Sequence, residues 1–265
     1  MYLEYNIIYY YIKFMYNYVY DNYDKNTIMY LTIPILFIAN LPVIFFTFLD
    51  ICKFKCLEEY RINYNNKRKY PSNLELCDGL KESCKGFFGI IIPVAFFGIY
   101  LMNNLNIKLY NFDRNVPNIF TFSCEIFVIL FMTDILFYFL HRLMHTKYLY
   151  QNLHKFHHTY KEPFALTNHY VNSLELLLFI IPPIIPPVLL GSHIMVMWCS
   201  IILLNWNGII IHSGYNFSVI KIQYKNCKFE FPCIKEHDFH HKYFNYNFGS
   251  TFPFMDQIMG TYCDK

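Results

Sequence analysis

Residues 119–158, IFTFSCEIFVILFMTDILFYFLHRLMHTKYLYQNLHKFHH, decide the fold. To about residue 140 this stretch is a nearly unbroken apolar run, of the ~20-residue length an α-helix needs to cross a hydrocarbon core. It leaves that core carrying His141 and His145, four apart, followed by His154, His157 and His158 at i, i+3 and i+4. A membrane helix that delivers imidazoles to its rim is the element from which the remainder is read.

Four more apolar stretches lie outward of it, roughly at 28 to 49, 87 to 105, 174 to 191 and 193 to 211. The last two form a hairpin around Gly191 and Ser192. The first of that pair holds Pro182, Pro183, Pro186 and Pro187, so it is expected to kink or partly unwind, with the freed backbone groups partnered by neighbouring helices. Composition agrees: the 265 residues are 55% hydrophobic, 21% aromatic and only 15% charged, which describes one membrane-embedded unit with the bilayer as solvent. The expected fold is an all-α integral membrane protein, a helical bundle of about four to five transmembrane helices with a cytosolic histidine-rich di-metal cap.

A net charge of +3 makes no case for nucleic acid. The nine cysteines are odd in number and contain no CxxC pair, so free thiols are expected rather than a disulfide framework or a zinc knuckle. The start, MYLEYNIIYYYIKFMYNYVY, lacks the features of a secretory signal and reads as an interfacial aromatic segment, while residues 60–73 read as a polar loop. If all five stretches span, residues 50–86, 141–173 and 212–265 share one side and hold 18 of the 22 Lys and Arg, leaving Lys13, Lys25, Lys108 and Arg114 on the other. Short cytosolic loops collect basic residues, so the crowded side is expected to face the cytosol.

All eleven histidines fall between 141 and 241. Besides HRLMH and HKFHH there is HDFHH, with His237, His240 and His241, and the parity of the spans brings all three patterns to one side. On a helix, residues three and four apart are neighbours, so each pattern is expected to present its imidazoles in one direction. Eight imidazoles exceed the four to six ligands of a single first-row ion, which implies two metals; iron, zinc, copper and nickel all suit imidazole. His212 is favoured as a ninth ligand. His169 is expected to line the site, donate a hydrogen bond to it or ligate, and His193 at the hairpin tip to be structural. Asp134 lies seven residues before His141 and eleven before His145, about two and three helical turns, and so on their face. It is expected to accept the second ring N–H of a metal-bound histidine, with Glu125 and Glu175 weaker candidates of the same kind.

The stretches TDILFYFLHRLMH, HKFHHTYKEPF, HSGYN and HDFHHKYFNYNFGSTFPFMDQIMGTY resemble the fatty acid hydroxylase and sterol desaturase superfamily, most of all its 4-methylsterol monooxygenase branch. The likeness covers roughly residues 119–263 and includes Thr251, Phe252, Asp256, Gly260 and Thr261. It implies that residues 119–265 are the catalytic region, with 1–118 supplying membrane segments and a cytosolic loop. It also implies a di-metal centre, taken to be two iron ions, on His141, His145, His154, His157, His158, His212, His237, His240 and His241. The reaction implied uses O2 as co-substrate, with electrons relayed from NAD(P)H through cytochrome b5 and its reductase at the endoplasmic reticulum membrane. Where the branch reads His-Pro-Leu-Glu, this chain has Asn172, Ser173, Leu174 and Glu175. Where it reads HSGYD, Asn216 stands, neutral but able to coordinate through oxygen.

The expected reaction is O2-dependent hydroxylation of an unactivated C–H bond, with oxidation of a sterol C4 methyl group preferred. The rivals are hydroxylation of a fatty acid or sphingolipid, desaturation of a sterol ring as in a C5 desaturase, a metal transporter or store, and a haem-binding bundle. The last leaves most of the clustered histidines without a role.

Overall fold

The computed structural model describes residues 2–62, 68–105, 109–113, 115–217, 220–224 and 227–263. Residues 63–67 of the expected polar loop, and Lys67, Lys108, Arg114, Lys225 and Lys265 of the charge distribution, lie outside them.

The helices in chain order are α1 (Tyr2–Asn22), α2 (Lys25–Tyr30), α3 (Thr32–Ala39), α4 (Leu41–Cys52), α5 (Asn73–Gly86), α6 (Ile92–Asn104), α7 (Ile119–Met144), α8 (Lys147–Asn152), α9 (Ser173–Leu189), α10 (Ile194–His212), α11 (Ile234–Tyr243) and α12 (Phe254–Ile258). Among the described residues four stretches are long and apolar enough to cross a membrane: Ile28–Cys52, Asn73–Asn104, α7 and α10; α9 is a shorter apolar helix. The α7 face bearing Phe120, Phe127 and Phe139 is exposed, as suits a surface whose solvent is lipid. One addition to the helical plan is an antiparallel hairpin, β1 (Ile220–Tyr224) with β2 (Cys227–Phe231), between α10 and α11.

Two departures from straight spans are repaired by neighbours. The first span breaks at Asn40, between α3 and α4, and α10 supplies the donors its carbonyls need: Trp206 Nε1 to Ile38 O at 3.2 Å and Asn205 Nδ2 to Ala39 O at 2.7 Å. Helix α9 does not unwind at its four prolines; it runs continuously from Ser173 to Leu189. Pro186 has no N–H for the Pro182 carbonyl, and the buried Thr133 hydroxyl of α7 approaches that oxygen at 3.5 Å, a weak bond from a donor on the adjacent helix. Span 87 to 105 is the outer part of a longer helical stretch. Its first part, α5, starts with a capping box in which Ser72 and Glu75 bond reciprocally, and a π turn over Phe87–Ile91 joins it to α6.

Contacts divide the loops by side as the parity of the spans requires. At one end Asn111 pairs with His193, whose Nε2–H donates to Asp113 O at 2.8 Å, and Tyr9 of α1 packs on Phe122 at the start of α7. His193 is thus structural, as expected. At the other end Arg61 pairs with Tyr215, the Tyr160 and Tyr170 hydroxyls both donate to Asp78 of α5, and buried Arg68 joins Asp238 of α11 to the Pro163 carbonyl. All the histidine patterns lie at this second end.

Candidate metal centre

Nine imidazoles meet here in two groups. His141, His145, His154, His158 and His240 form one; His157, His212, His237 and His241 form the other; within each, one nitrogen per residue lies within 4.8 Å of all the rest. The groups abut, with the His158 and His241 ring centroids 4.6 Å apart.

Each HxxHH pattern is divided between the groups, contrary to the expectation that a pattern faces one way. Its i and i+4 members stay together and its i+3 member crosses over: His154 and His158 sit in the first group and His157 in the second, whereas His237 and His241 sit in the second and His240 in the first. On an α-helix such as α11, residues i+3 and i+4 point ~100° apart, so adjacent imidazoles naturally serve different points. HKFHH itself lies on a 3₁₀ turn, His154–Thr159, rather than an α-helix.

Hydrogen bonds at the outer ring nitrogens orient the inner ones. The Nδ1 atoms of His141, His212, His240 and His241 face the carbonyls of Phe248 (2.8 Å), Gly208 (2.7 Å), Tyr246 (2.7 Å) and Tyr160 (3.3 Å), and His154 Nδ1 faces the fully buried Glu175 carboxylate at 2.5 Å. A carbonyl cannot donate, so the four histidines that face one carry their proton on Nδ1 and turn an Nε2 lone pair inward. Inside the groups the Nε2 atoms then confront each other: His141 and His154 at 3.2 Å, His158 and His154 at 3.0 Å, His212 with His237 at 3.0 Å, with His241 at 3.2 Å and with His157 at 3.3 Å. Two lone pairs at that distance repel, as for His212 with His241. The buried His240 Nε2 has no hydrogen-bond partner among the described residues. Imidazole nitrogens sharing a first-row cation at ~2.1 Å each, at angles between tetrahedral and right-angled, stand about 3.0–3.4 Å apart. The donor set therefore fits two cations, one per group.

Burial favours neutral imidazole. It pushes the pKa of His154, His157, His158, His237, His240 and His241 well below the ordinary value, and neighbouring imidazoles push the same way. His145 falls to about 2 for the same two reasons.

Asp134 does not orient a histidine. Its carboxylate accepts the backbone N–H of Thr251 at 2.7 Å and of Ser250 at 3.2 Å, so it anchors the loop after α11. Glu175, at the start of α9, takes the role expected of Asp134. Glu125 is 16 residues, about 24 Å of helix, before His141 and belongs to the far end of α7. His169 is outside both groups and bonds through Nε2 to Asn205 Oδ1 at 3.2 Å, while Asn216 donates its backbone N–H to Tyr60 O at 2.6 Å.

Sequence reading assigned no role to the strap at residues 246–252, which presents the carbonyls that hold His240 and His141. Asp256 binds its backbone, accepting from Phe248 N at 2.8 Å and Gly249 N at 2.7 Å, and Thr261 donates to the same carboxylate at 2.7 Å. The signal in the sequence was the recurrence of Thr251, Phe252, Asp256, Gly260 and Thr261 in the resemblance.

A cavity of about 440 Å³ runs from the groups into the membrane part. It touches His141, His154, His157, His212 and His237 at one end and is walled by residues such as Leu36, Phe97, Phe137, Phe179 and Ile184. That volume is within the range of pockets that enclose small ligands.

A family model described as fatty acid hydroxylase matches residues 126–261. The chain is similar to methylsterol monooxygenase 1 of Rattus norvegicus, 29% identical over 92% of this chain and 80% of the relative. It is also similar to methylsterol monooxygenase 2-2 of Arabidopsis thaliana, 34% identical over 52% of each chain. A third relative is the very-long-chain aldehyde decarbonylase GL1-8 of Oryza sativa subsp. indica, 35% identical over 49% of this chain and 48% of the relative. No solved structure gives a significant match.

Proposed function

This chain belongs to the fatty acid hydroxylase family, and from that premise we propose that it is a membrane-bound, metal-dependent oxygenase of lipid metabolism that oxidises a C4 methyl group of a sterol. The observation that carries the reading is the pair of buried imidazole groups at one end of a largely apolar cavity. Buried, neutral nitrogen donors suit redox-active ions, and an apolar channel suits a substrate drawn from the bilayer. Two iron ions held by His141, His145, His154, His158 and His240 and by His157, His212, His237 and His241 would supply O2 activation, which side chains cannot.

Each turnover joins one oxygen atom to a substrate carbon in place of hydrogen and reduces the other to water with two electrons and two protons. The protein's own contribution is positional. Glu175 and the carbonyls of Phe248, Tyr246, Gly208 and Tyr160 fix ring orientation, and the cavity wall holds the reacting carbon against the imidazole end. We propose NAD(P)H as electron source by way of cytochrome b5 and its reductase, and the endoplasmic reticulum membrane as location, with the histidine end in the cytosol. The uneven distribution of Lys and Arg supports that orientation.

The match that extends over 92% of this chain is to a methylsterol monooxygenase, which favours a sterol over an acyl substrate; the half-length matches include both a methylsterol monooxygenase and the rice decarbonylase and do not discriminate. Use of the histidines for metal transport would call for a path of ligating groups through the spans, and the cavity leading from them is largely apolar, with no charged side chain in its lining among the described residues. The test is reconstitution with iron, O2 and an electron donor on paired lipids. Conversion of a 4-methylsterol to its 4-hydroxymethyl product is expected; conversion of acyl lipids with the sterol untouched contradicts the proposal.

A further inference from the structure

Among the described residues no Asp, Glu, Lys or Arg lines the cavity, yet its wall is not wholly apolar. Asn168, His169 and Asn205 form a polar patch on it, the first two from the 3₁₀ turn Ala165–His169 and the third from α10. Neutral amides exposed to a lipid-filled space are costly without partners.

Hydrogen bonding fixes what this patch can still do. Asn205 Nδ2 donates to Ala39 O at 2.7 Å, which turns its Oδ1 toward His169 Nε2, 3.2 Å away. That oxygen needs a donor, so His169 is protonated at Nε2. The Asn168 amide nitrogen, 3.3 Å from the same Nε2, therefore finds no lone pair there. Whichever way the Asn168 amide is turned, one of its ends keeps hydrogen-bonding capacity beside the cavity.

Asn168 also stands at the reacting end. A Cβ built on Gly208 would lie 2.8 Å from its Oδ1, and the Gly208 carbonyl holds His212 Nδ1 at 2.7 Å. The patch is thus one helical turn from an imidazole of the four-histidine group.

Taking the oxygenase reading above as its basis, we infer that Asn168, braced by His169 and Asn205, binds a neutral oxygen function of the lipid substrate, a hydroxyl or oxo group, and directs oxidation to a carbon close to it. At the patch itself, away from the imidazole end, no lysine or arginine among the described residues lines the cavity to pair with a carboxylate or phosphate head, which favours a neutral group there. The substrate class is a neutral lipid that enters oxygen end first and leaves its hydrocarbon body in the membrane half of the cavity. A 4-methylsterol fits, because its ring hydroxyl sits on the carbon next to the one bearing the methyl group.

Equilibrium binding to the metal-loaded full chain in nanodiscs, without O2, tests this with two matched pairs: a 4,4-dimethylsterol and its 3-deoxy analogue, and octadecanol and octadecane. The sterol is expected to bind about tenfold more tightly than its deoxy partner, as one desolvated neutral hydrogen bond supplies. Asn168→Ala should lower the alcohol to the deoxy value and leave the deoxy affinity unchanged, whereas damage to the fold weakens both. Discrimination in the long-chain pair alone keeps the oxygen-binding patch and sinks the sterol reading. Equal affinities within both pairs, or discrimination that survives Asn168→Ala, overturns the inference and leaves the oxygenase reading standing.

Discussion

At the residue scale the centre depends on which ring nitrogen faces inward. The histidines were legible in sequence because their spacing repeats, but four of their partners are backbone carbonyls, which any residue supplies and no motif records. The carboxylate partner was legible only as a choice among acids. Asp134 has the better helical spacing, yet Glu175 is the one whose chain entry points it at His154. Glu175→Gln should keep the fold and lower metal affinity about 10- to 100-fold, read by metal content after dialysis against a chelator. Wild-type retention in that variant would remove Glu175 from the centre. The lowered imidazole pKa values also set a pH dependence. In the metal-free protein the unfolded chain binds protons below the ordinary histidine value of 6.5 and the folded centre does not, so stability falls as pH drops through that value and is unaffected above it. Thermal unfolding of stripped protein should be level from about pH 8 to 7 and decline from 6.5 toward 5; a level midpoint throughout contradicts burial of the histidines.

At the scale of elements, two short segments close the centre. The strap after α11 is tied to α7 by Asp134 and to α12 by Asp256, and Asn247 adopts left-handed backbone (φ 57°) while bonding the Cys263 backbone at both ends of its amide. Gly214, after α10, has φ 78° and lies so close to Arg68 that a Cβ would be 2.4 Å from the guanidinium. Gly214→Ala should therefore destabilise the protein by more than about 1 kcal/mol and displace Arg68 from Asp238, with a lowered midpoint of thermal unfolding as readout. An unchanged midpoint would show that the Arg68 link is dispensable. Four of the five apolar stretches were legible to within a few residues from hydropathy alone, whereas Asn73–Asn104 was legible only from residue 87, because its first part, α5, is polar. The unbroken course of α9 was not legible, because proline rules price the missing N–H within the helix and are silent about a hydroxyl on the next one.

At the scale of the whole molecule, the alternation of spans gathers three distant histidine patterns at one end and leaves the other end to structural contacts such as that of His193. That sidedness was expected from the charges, since the parity of the spans assigns 18 of the 22 basic residues to the histidine side. In sealed microsomes, a variant retaining only Cys77, exposed on α5, should react with an impermeant maleimide added outside. Reaction only after the vesicles are opened would reverse the topology. The assembly into a five-histidine and a four-histidine group was beyond sequence reading, because it depends on how adjacent histidines diverge after folding. The most direct measurement is therefore metal stoichiometry of the active, purified chain. Two equivalents of iron per chain are expected, falling to about one in His157→Ala, whose group has four members, and full activity with no more than a single equivalent would contradict the account.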